Sequence, residues 1–391
     1  MRKPQHAWIA DIDNSYDAFV PLLTAKPHCI EDLPTEIIEA QAKQQESKTS
    51  RNFAYGDHKQ QKGQASFPNP YTPEIEAFDQ SIGEDGKLAS LVPDVATEFK
   101  PLENTTLTFV DTEEKLAKAC EVLSSVTELA VDLEHHSSRT YLGITSLMQV
   151  STREEDFIID TITLRKHLGD ALRPIFDNPD IVKVLHGADM DIEWLQRDLG
   201  LYVVNMFDTG QASRVLGLKG FGLAFLLQTY CSVLTDKKYQ LADWRQRPLP
   251  EEMVKYARED THYLLYVYDR LRIELLERGR ASNAANPYAP LKAVYHKSSA
   301  LCLKSYEKPE VKDYNFYMLV ARNKALQSLN QVRVLKMLLK WRDFVARKED
   351  ESNHYMLPNH VLFQIGRDLP TTRNELRDSC RAHVPPAVLL H

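Results

Sequence analysis

Glu128-Leu129-Ala130-Val131-Asp132-Leu133-Glu134-His135-His136 alternates like a strand, with Leu129, Val131 and Leu133 on one face and Ala130, Asp132 and Glu134 on the other. Two acids on the same face of an apolar strand repel and desolvate each other unless something positive sits between them. Metal ions are the usual answer. The other reading is a strand that simply ends here in two solvated carboxylates. These nine residues leave both readings open, and the acids further along distinguish them.

Outward from that strand the texture is that of one mixed sheet. Thr106–Val110 reads as a short strand, and Asp111 or Thr112 caps a helix through Leu116, Ala119, Cys120 and Leu123. Strands follow at 144–151 and 156–160, then a helix, then the fully apolar type of strand at 181–185. His186-Gly187-Ala188 turns into a helix with Ile192, Trp194, Leu195 and Leu199, ended by Gly200, and 203–207 is the last strand. Helices occupy the rest to Arg278. Three consecutive strands followed by strands alternating with helices imply a mixed sheet flanked by helices.

The flanks differ. Residues 1–100 hold a polar run, Gln41 to Lys48, and a proline-rich patch, Phe67-Pro68-Asn69-Pro70-Tyr71-Thr72-Pro73, which favours extended chain. Its scattered aromatics (Trp8, Phe19, Phe53, Tyr55, Tyr71, Phe78) either pin it along another domain or dot a floppy linker. Small residues and two prolines between Ala281 and Pro290 mark a linker. From 312 the chain reads as a compact helical module: Leu319, Ala325, Leu329, Val332, Leu335, Leu338 and Leu339 keep helical spacing, and a further helix begins near Pro358. Its basic residues Arg322, Lys324, Arg333, Lys336, Lys340, Arg342, Arg347 and Lys348 either meet phosphates or form a solvated face.

With 391 residues, 43% of them hydrophobic, the chain can build two or three domains. A formal charge of -7 argues against wholesale coating of nucleic acid but leaves room for a local groove around bound cations. Five scattered cysteines without a CxxC pair suit free thiols in a reducing compartment. The polar start is not a signal peptide and no run approaches a membrane span, so a soluble intracellular protein, whole or part of a longer one, is expected.

Further acids complete the pattern. Pro250, Glu251 and Glu252 open a helix in which Tyr256 and Asp260, four apart, project from one face. Its stripe of Met253, Ala257, Leu264, Val267 and Leu271 turns toward the sheet. In His186-Gly187-Ala188-Asp189-Met190-Asp191-Ile192-Glu193, Asp189 falls where an N-cap belongs, Asp191 lies inside the first turn and Glu193 faces solvent; pattern alone leaves Asp189 and Asp191 in competition. Asp208, three before Gln211, reads as a cap, and His186 as a satisfied strand-end histidine.

Asp132 and Glu134 on a strand, Asp191 at a helix start, and Tyr256 and Asp260 on a later helix resemble the DEDD superfamily of 3′–5′ exonucleases in its tyrosine-bearing branch. Five segments narrow the likeness: 131–136 (Val-Asp-Leu-Glu-His-His), 147–151 (Leu-Met-Gln-Val-Ser), 186–192 (His-Gly-Ala-Asp-Met-Asp-Ile), 239–245 (Tyr-Gln-Leu-Ala-Asp-Trp-Arg) and 256–263 (Tyr-Ala-Arg-Glu-Asp-Thr-His-Tyr). In type, order and spacing they resemble the RNase D-like exoribonuclease subunit of the eukaryotic nuclear exosome.

That resemblance implies an α/β fold, an RNase H-like mixed sheet with flanking helices, over 101–280. It further implies an extended segment over 1–100 wrapping the nuclease domain, a linker over 281–311, and an all-α HRDC domain over 312–391. The chain ends at Val388-Leu389-Leu390-His391, before that module's expected last helix. The resemblance puts catalysis on Asp132, Glu134, Asp191, Tyr256 and Asp260, which favours Asp191 over Asp189. The four carboxylates would hold two Mg2+ ions, or Mn2+ in their place, a choice that oxygen ligands without histidine or cysteine suit. His135, His136 and Gln149 lie beside the acids as candidates to touch the terminal nucleotide. Trp244 and Arg245 would stack on a base or pair with a phosphate, with core packing the alternative for Trp244. The implied substrate is the 3′ end of single-stranded RNA, cut to nucleoside 5′-monophosphates. Implied partners are the exosome core and its cofactors, in the nucleus and nucleolus, with no membrane and no nicotinamide or flavin cofactor. A proofreading-type DNA exonuclease and a catalytically dead RNA-binding scaffold are the competing readings; the complete carboxylate set speaks against the second.

Overall fold

Leu129, Val131 and Leu133 all enter one large apolar core, and the sheet is built around the strand that carries them. The computed structural model describes residues 3–5, 7, 12–47, 66–84, 86–310, 316, 318, 320, 321, 328–380 and 384–390. Trp8, Lys48, Phe53, Tyr55, Leu319, Arg322, Lys324, Ala325 and His391, which figure in the sequence reading, lie outside these.

Strands Thr106–Val110 (β1), Glu128–His136 (β2), Ile144–Ser151 (β3), Glu155–Ile159 (β4), Val182–Leu185 (β5) and Met206–Asp208 (β6) form one sheet in the order β1-β4-β3-β2-β5-β6. β2–β3 and β3–β4 pair antiparallel through short connections; β1–β4, β2–β5 and β5–β6 are parallel and need helical crossovers. This is the expected mixed sheet flanked by helices. At the end of β2 the ladder slips by one residue. Glu134 opposes Leu147 but His135 opposes Thr145, so Ser146 bulges. Arg247 secures the bulge, donating from Nη2 to the Ser146 carbonyl (2.8 Å) and to Asp160 Oδ1 (2.7 Å).

After β5 a short helical turn, Asp191–Trp194, widens into a π turn, Leu195–Leu199. Gly200 closes it at φ 60°, where a Cβ would collide with the Leu22 carbonyl. The buried Gln196 amide donates to the Lys304 carbonyl and accepts from the Tyr306 N–H, both at 2.8 Å, which stitches residues 304–306 onto the nuclease body.

The N-terminal region departs from the extended chain that its prolines suggest. Thr35–Ser47 and Thr72–Ser81 are helices. Pro73 sits in the first turn of the second, where a fixed φ helps and a missing N–H costs nothing. The polar run docks by hydrogen bonding: Gln41 Nε2 donates to the carbonyls of Pro21 (2.7 Å) and Leu23 (2.8 Å). Tyr71, Ile75, Phe78 and Ile82 are buried in the main core.

The linker expected over 281–311 is also corrected. Ala289–Cys302 is a helix whose Leu291, Val294, Tyr295 and Leu301 belong to the same core. The proline and small residues before it make only a tight return, in which Gly279 passes so close to the Pro287 carbonyl that a side chain would clash.

The C-terminal module has its own core, with Leu335, Leu339, Val345, Met356, Leu362 and Ile365 drawn from helices Leu329–Glu349, Asn353–Met356 and Asn359–Asp368. Arg347 is no phosphate ligand. It is buried, pairs with Asp343 (2.9 Å) and donates to the carbonyls of Asn14, Ser15 and Pro309. Arg342 is spent on the Leu357 carbonyl and the Asn359 side chain. Asp350, just past the long helix, accepts from Gln5 Nε2 (3.1 Å), Asn14 Nδ2 (3.1 Å), Thr140 Oγ1 (3.0 Å) and Tyr141 N–H (3.0 Å). One buried carboxylate thus joins the module, the N-terminal segment and the β2–β3 loop. All five cysteines are free, and no helix among the described residues is long and apolar enough to cross a membrane.

Candidate metal-dependent active site

Period-two alternation puts Asp132 and Glu134 on the sheet face opposite Leu129, Val131 and Leu133. That face lies under the helix Glu251–His262, which packs on β2, β3 and β4. Met253 and Ala257 meet Leu147, Ile158 and Trp244 in a small apolar cluster, and this fixes which way the helix is rolled. The same roll turns Asp260 inward. Carboxylate oxygens of Asp132, Glu134 and Asp260 come within 4.8 Å of one another, Asp132 half-buried and the other two buried. The apolar stripe is split between two helices, however. The chain breaks at Tyr263, and Leu264, Val267 and Leu271 ride on Leu264–Ser282.

Asp191 enters from the turn after β5. The His186-Gly187-Ala188 bend is held from β6: Asp208 accepts from the Gly187 N–H (3.1 Å) and Ala188 N–H (2.8 Å) while capping its own helix through the Gln211 N–H (2.9 Å). The expected capping role of Asp208 is present, extended to a second loop. Asp189 does not cap; its carboxylate pairs with Lys304 Nζ at 2.6 Å. Asp191 is buried and its charge is felt at Glu134, beside the three-acid cluster.

Electrostatics make this a costly place for four negative charges. Burial first, then Asp132, Asp260 and Asp191, pushes Glu134 up to about 10, and burial alone lifts Asp132 to about 7. Burial and then Asp132 hold both Asp191 and Asp260 well above the ordinary range. No lysine or arginine pairs with Asp132, Glu134, Asp191 or Asp260 among the described residues. The donor set is all carboxylate oxygen, which fits hard divalent cations such as Mg2+ or Mn2+. The half-buried Tyr256 sits between the rings of Tyr239 and Trp244 (5.7 and 6.0 Å). Burial, then Asp260 and Glu134, raises its pKa, so its hydroxyl stays protonated.

The expected substrate contacts divide. Trp244 is fully buried in the apolar cluster, which removes it from stacking and realises the packing alternative. Arg245 is clamped by Asp243 through two 2.8 Å bonds, and Asp243 also lies 3.5 Å from His136 Nδ1. His135 stacks flat on Trp194 at 4.2 Å and accepts from Arg197 Nη2 at 3.1 Å. Burial, followed by Arg197, brings His135 down to about 3, so it is neutral. His136 Nε2 bonds Ser138 Oγ at 3.0 Å, and His186 Nδ1 bonds Thr209 Oγ1 at 2.9 Å as a satisfied strand-end group. Gln149 is buried directly opposite Asp132. Sequence reasoning passed over Asp243, Arg197 and Asp198, although Asp243 sits in the 239–245 segment. Asp198 accepts from both Thr145 N–H and Arg197 and braces the start of β3.

Residues 107–276 match a family model described as 3′-5′ exonuclease, and residues 331–382 match the HRDC domain. The crystal structure of the catalytic core of RRP6 from Trypanosoma brucei matches 82% of this chain and 84% of its own, with 41% identity and a TM-score of 0.73. The chain belongs to the RRP6 family. Exosome complex component 10 of Homo sapiens is 42% identical over 99% of the chain, and the exosome complex exonuclease RRP6 of Saccharomyces cerevisiae is 38% identical over 95%. The chain spans less than half the length of these relatives, 43% and 48%. RRP6 membership joins the acid cluster to an exonuclease domain and the C-terminal module to an HRDC domain.

Proposed function

We propose that the chain is a metal-dependent 3′–5′ exoribonuclease that hydrolyses single-stranded RNA from its 3′ end, releasing nucleoside 5′-monophosphates. The carrying observation is the convergence of Asp132, Glu134 and Asp260 within 4.8 Å, with Asp191 beside them. Asp132, Glu134 and Asp260 would hold one divalent cation, and Asp132 with Asp191 a second. When bound, two such ions supply the Lewis acidity that makes water nucleophilic and stabilises the departing 3′-oxygen. Tyr256, kept protonated, donates a hydrogen bond that orients the attacking water and is not itself the base. Arg245, clamped by Asp243, and His136, 3.5 Å from the same carboxylate, would contact the terminal nucleotide.

Mg2+ is the expected physiological ion, and the nuclear exosome core with its cofactors the expected assembly, in nucleus and nucleolus; the relatives are exosome complex proteins by name, which supports the assembly. The test is 5′-labelled single-stranded RNA with Mg2+. A ladder shortening from the 3′ end, lost with EDTA and with Asp132→Asn, is expected. Long internal fragments, or digestion of DNA in preference to RNA, overturn the assignment.

A further inference from the structure

We infer that Gln149 is a positioning residue for cation binding, its side-chain amide orienting the Glu134 carboxylate from beneath, and that it does not touch RNA. This rests on the metal-dependent reading of the acid cluster. Gln149 faces Asp132 across the β2–β3 ladder and stands two residues from Leu147, the partner of Glu134. Its neighbours on that face both reach the Asp260 helix: Leu147 packs with Met253 and Ala257, and Ser151 Oγ bonds Thr261 Oγ1 at 2.8 Å. Gln149 between them therefore lies under the same helix, on the floor of the acid cluster.

Gln149 is fully buried, so it cannot meet a nucleotide. Neither its Nε2 nor its Oε1 completes a hydrogen bond of good geometry, although the strand register sets the amide beside both Asp132 and Glu134. A buried amide without partners is a cost that an apolar residue of similar size avoids, and Leu147 next to it shows that this face accepts leucine. The arrangement makes sense if the Nε2 donor engages the Glu134 carboxylate when that side chain turns to hold a cation. Outer-shell donors of this kind fix a ligand's orientation and set metal affinity.

The test compares Gln149→Leu with the wild type by titrating Mn2+ calorimetrically into the full chain, by melting the metal-free proteins, and by RNA binding in EDTA. Mn2+ affinity is expected to fall about tenfold. The metal-free melting temperature is expected to hold or rise, and RNA affinity to stay unchanged. In turnover, the half-saturating Mn2+ concentration rises while the rate at saturating Mn2+ stays near that of the wild type. Gln149→Met, of matching length, serves if the leucine variant does not fold. Unchanged Mn2+ affinity overturns the inference, and so does weaker RNA binding with Mn2+ affinity intact. A wild-type chain that binds no Mn2+ overturns the metal reading itself, a failure seen without any variant.

Discussion

Thr140 Oγ1 donates to Asp350 Oδ1 at 3.0 Å, tying the end of the long HRDC-domain helix to the loop that leaves the acid-bearing strand. Asp350 takes four such bonds, so losing its carboxylate orphans donors on both the N-terminal segment and the β2–β3 loop. Asp350→Ala is expected to cost about 2–4 kcal/mol in urea denaturation. Asp350 sits at φ 46°, so Asp350→Gly relieves the backbone while still losing the bonds. A loss of about 2 kcal/mol or more for the glycine variant assigns the effect to the carboxylate.

Asp191 and Asp189, two residues apart, should behave as opposites. Asp191 is buried beside the cluster, whereas Asp189 makes a half-exposed pair with Lys304. Asp191→Asn is expected to lower turnover by more than about 100-fold, beyond what losing an outer-shell group costs. Asp189→Asn should stay within about threefold, as befits an exposed ion pair. Single-turnover assays on labelled RNA compare the two.

The metal-free protein should lose stability as pH rises. Asp132 near 7 and Glu134 near 10 are raised from ordinary values of 3.8 and 4.5. Above about pH 4 the folded state keeps protons that the unfolded chain has released, and stability falls with each step up in pH. That decline runs through Asp132's window to about 7 and continues for Glu134 toward 10. Cations bind the deprotonated acids, so their stabilisation grows with pH. Melting curves at pH 5.5 and 8, with EDTA or with Mg2+, should show the larger metal-induced rise at pH 8. Glu134→Gln should flatten the EDTA slope.

Trp244 should matter to folding before it matters to RNA. It is fully buried among Leu147, Ile158, Met253 and Ala257. Trp244→Ala is expected to destabilise by about 3–5 kcal/mol, and Trp244→Phe by less, both read by denaturation. A stable Trp244→Ala variant that binds RNA poorly contradicts this placement.

Asp132 and Glu134 were legible because a strand's period of two is strict, and the same regularity made the sheet readable. Asp191 was not separable from Asp189 by pattern, because the turn holding it is only four residues long and is anchored by Asp208 from another strand. Tertiary partners hid the rest. Arg347 and Lys340 look alike in sequence, yet one is buried against Asn14 and Ser15 and the other is exposed. Pro73 suits both an extended chain and a helix start, and only the packing of Ile75 and Phe78 into the core decides between them. Asp350 meets Gln5 and Asn14 across more than 300 residues of sequence.

Gln196 grips residues 304–306 through a carbonyl and an N–H that nearly every amino acid offers. Its amide plays the part of a missing peptide unit, so the grip is indifferent to which side chains the gripped residues carry. Related chains are free to diverge at 304 and 305 without undocking this segment. Proline at 306, lacking the donor, is the substitution they must avoid.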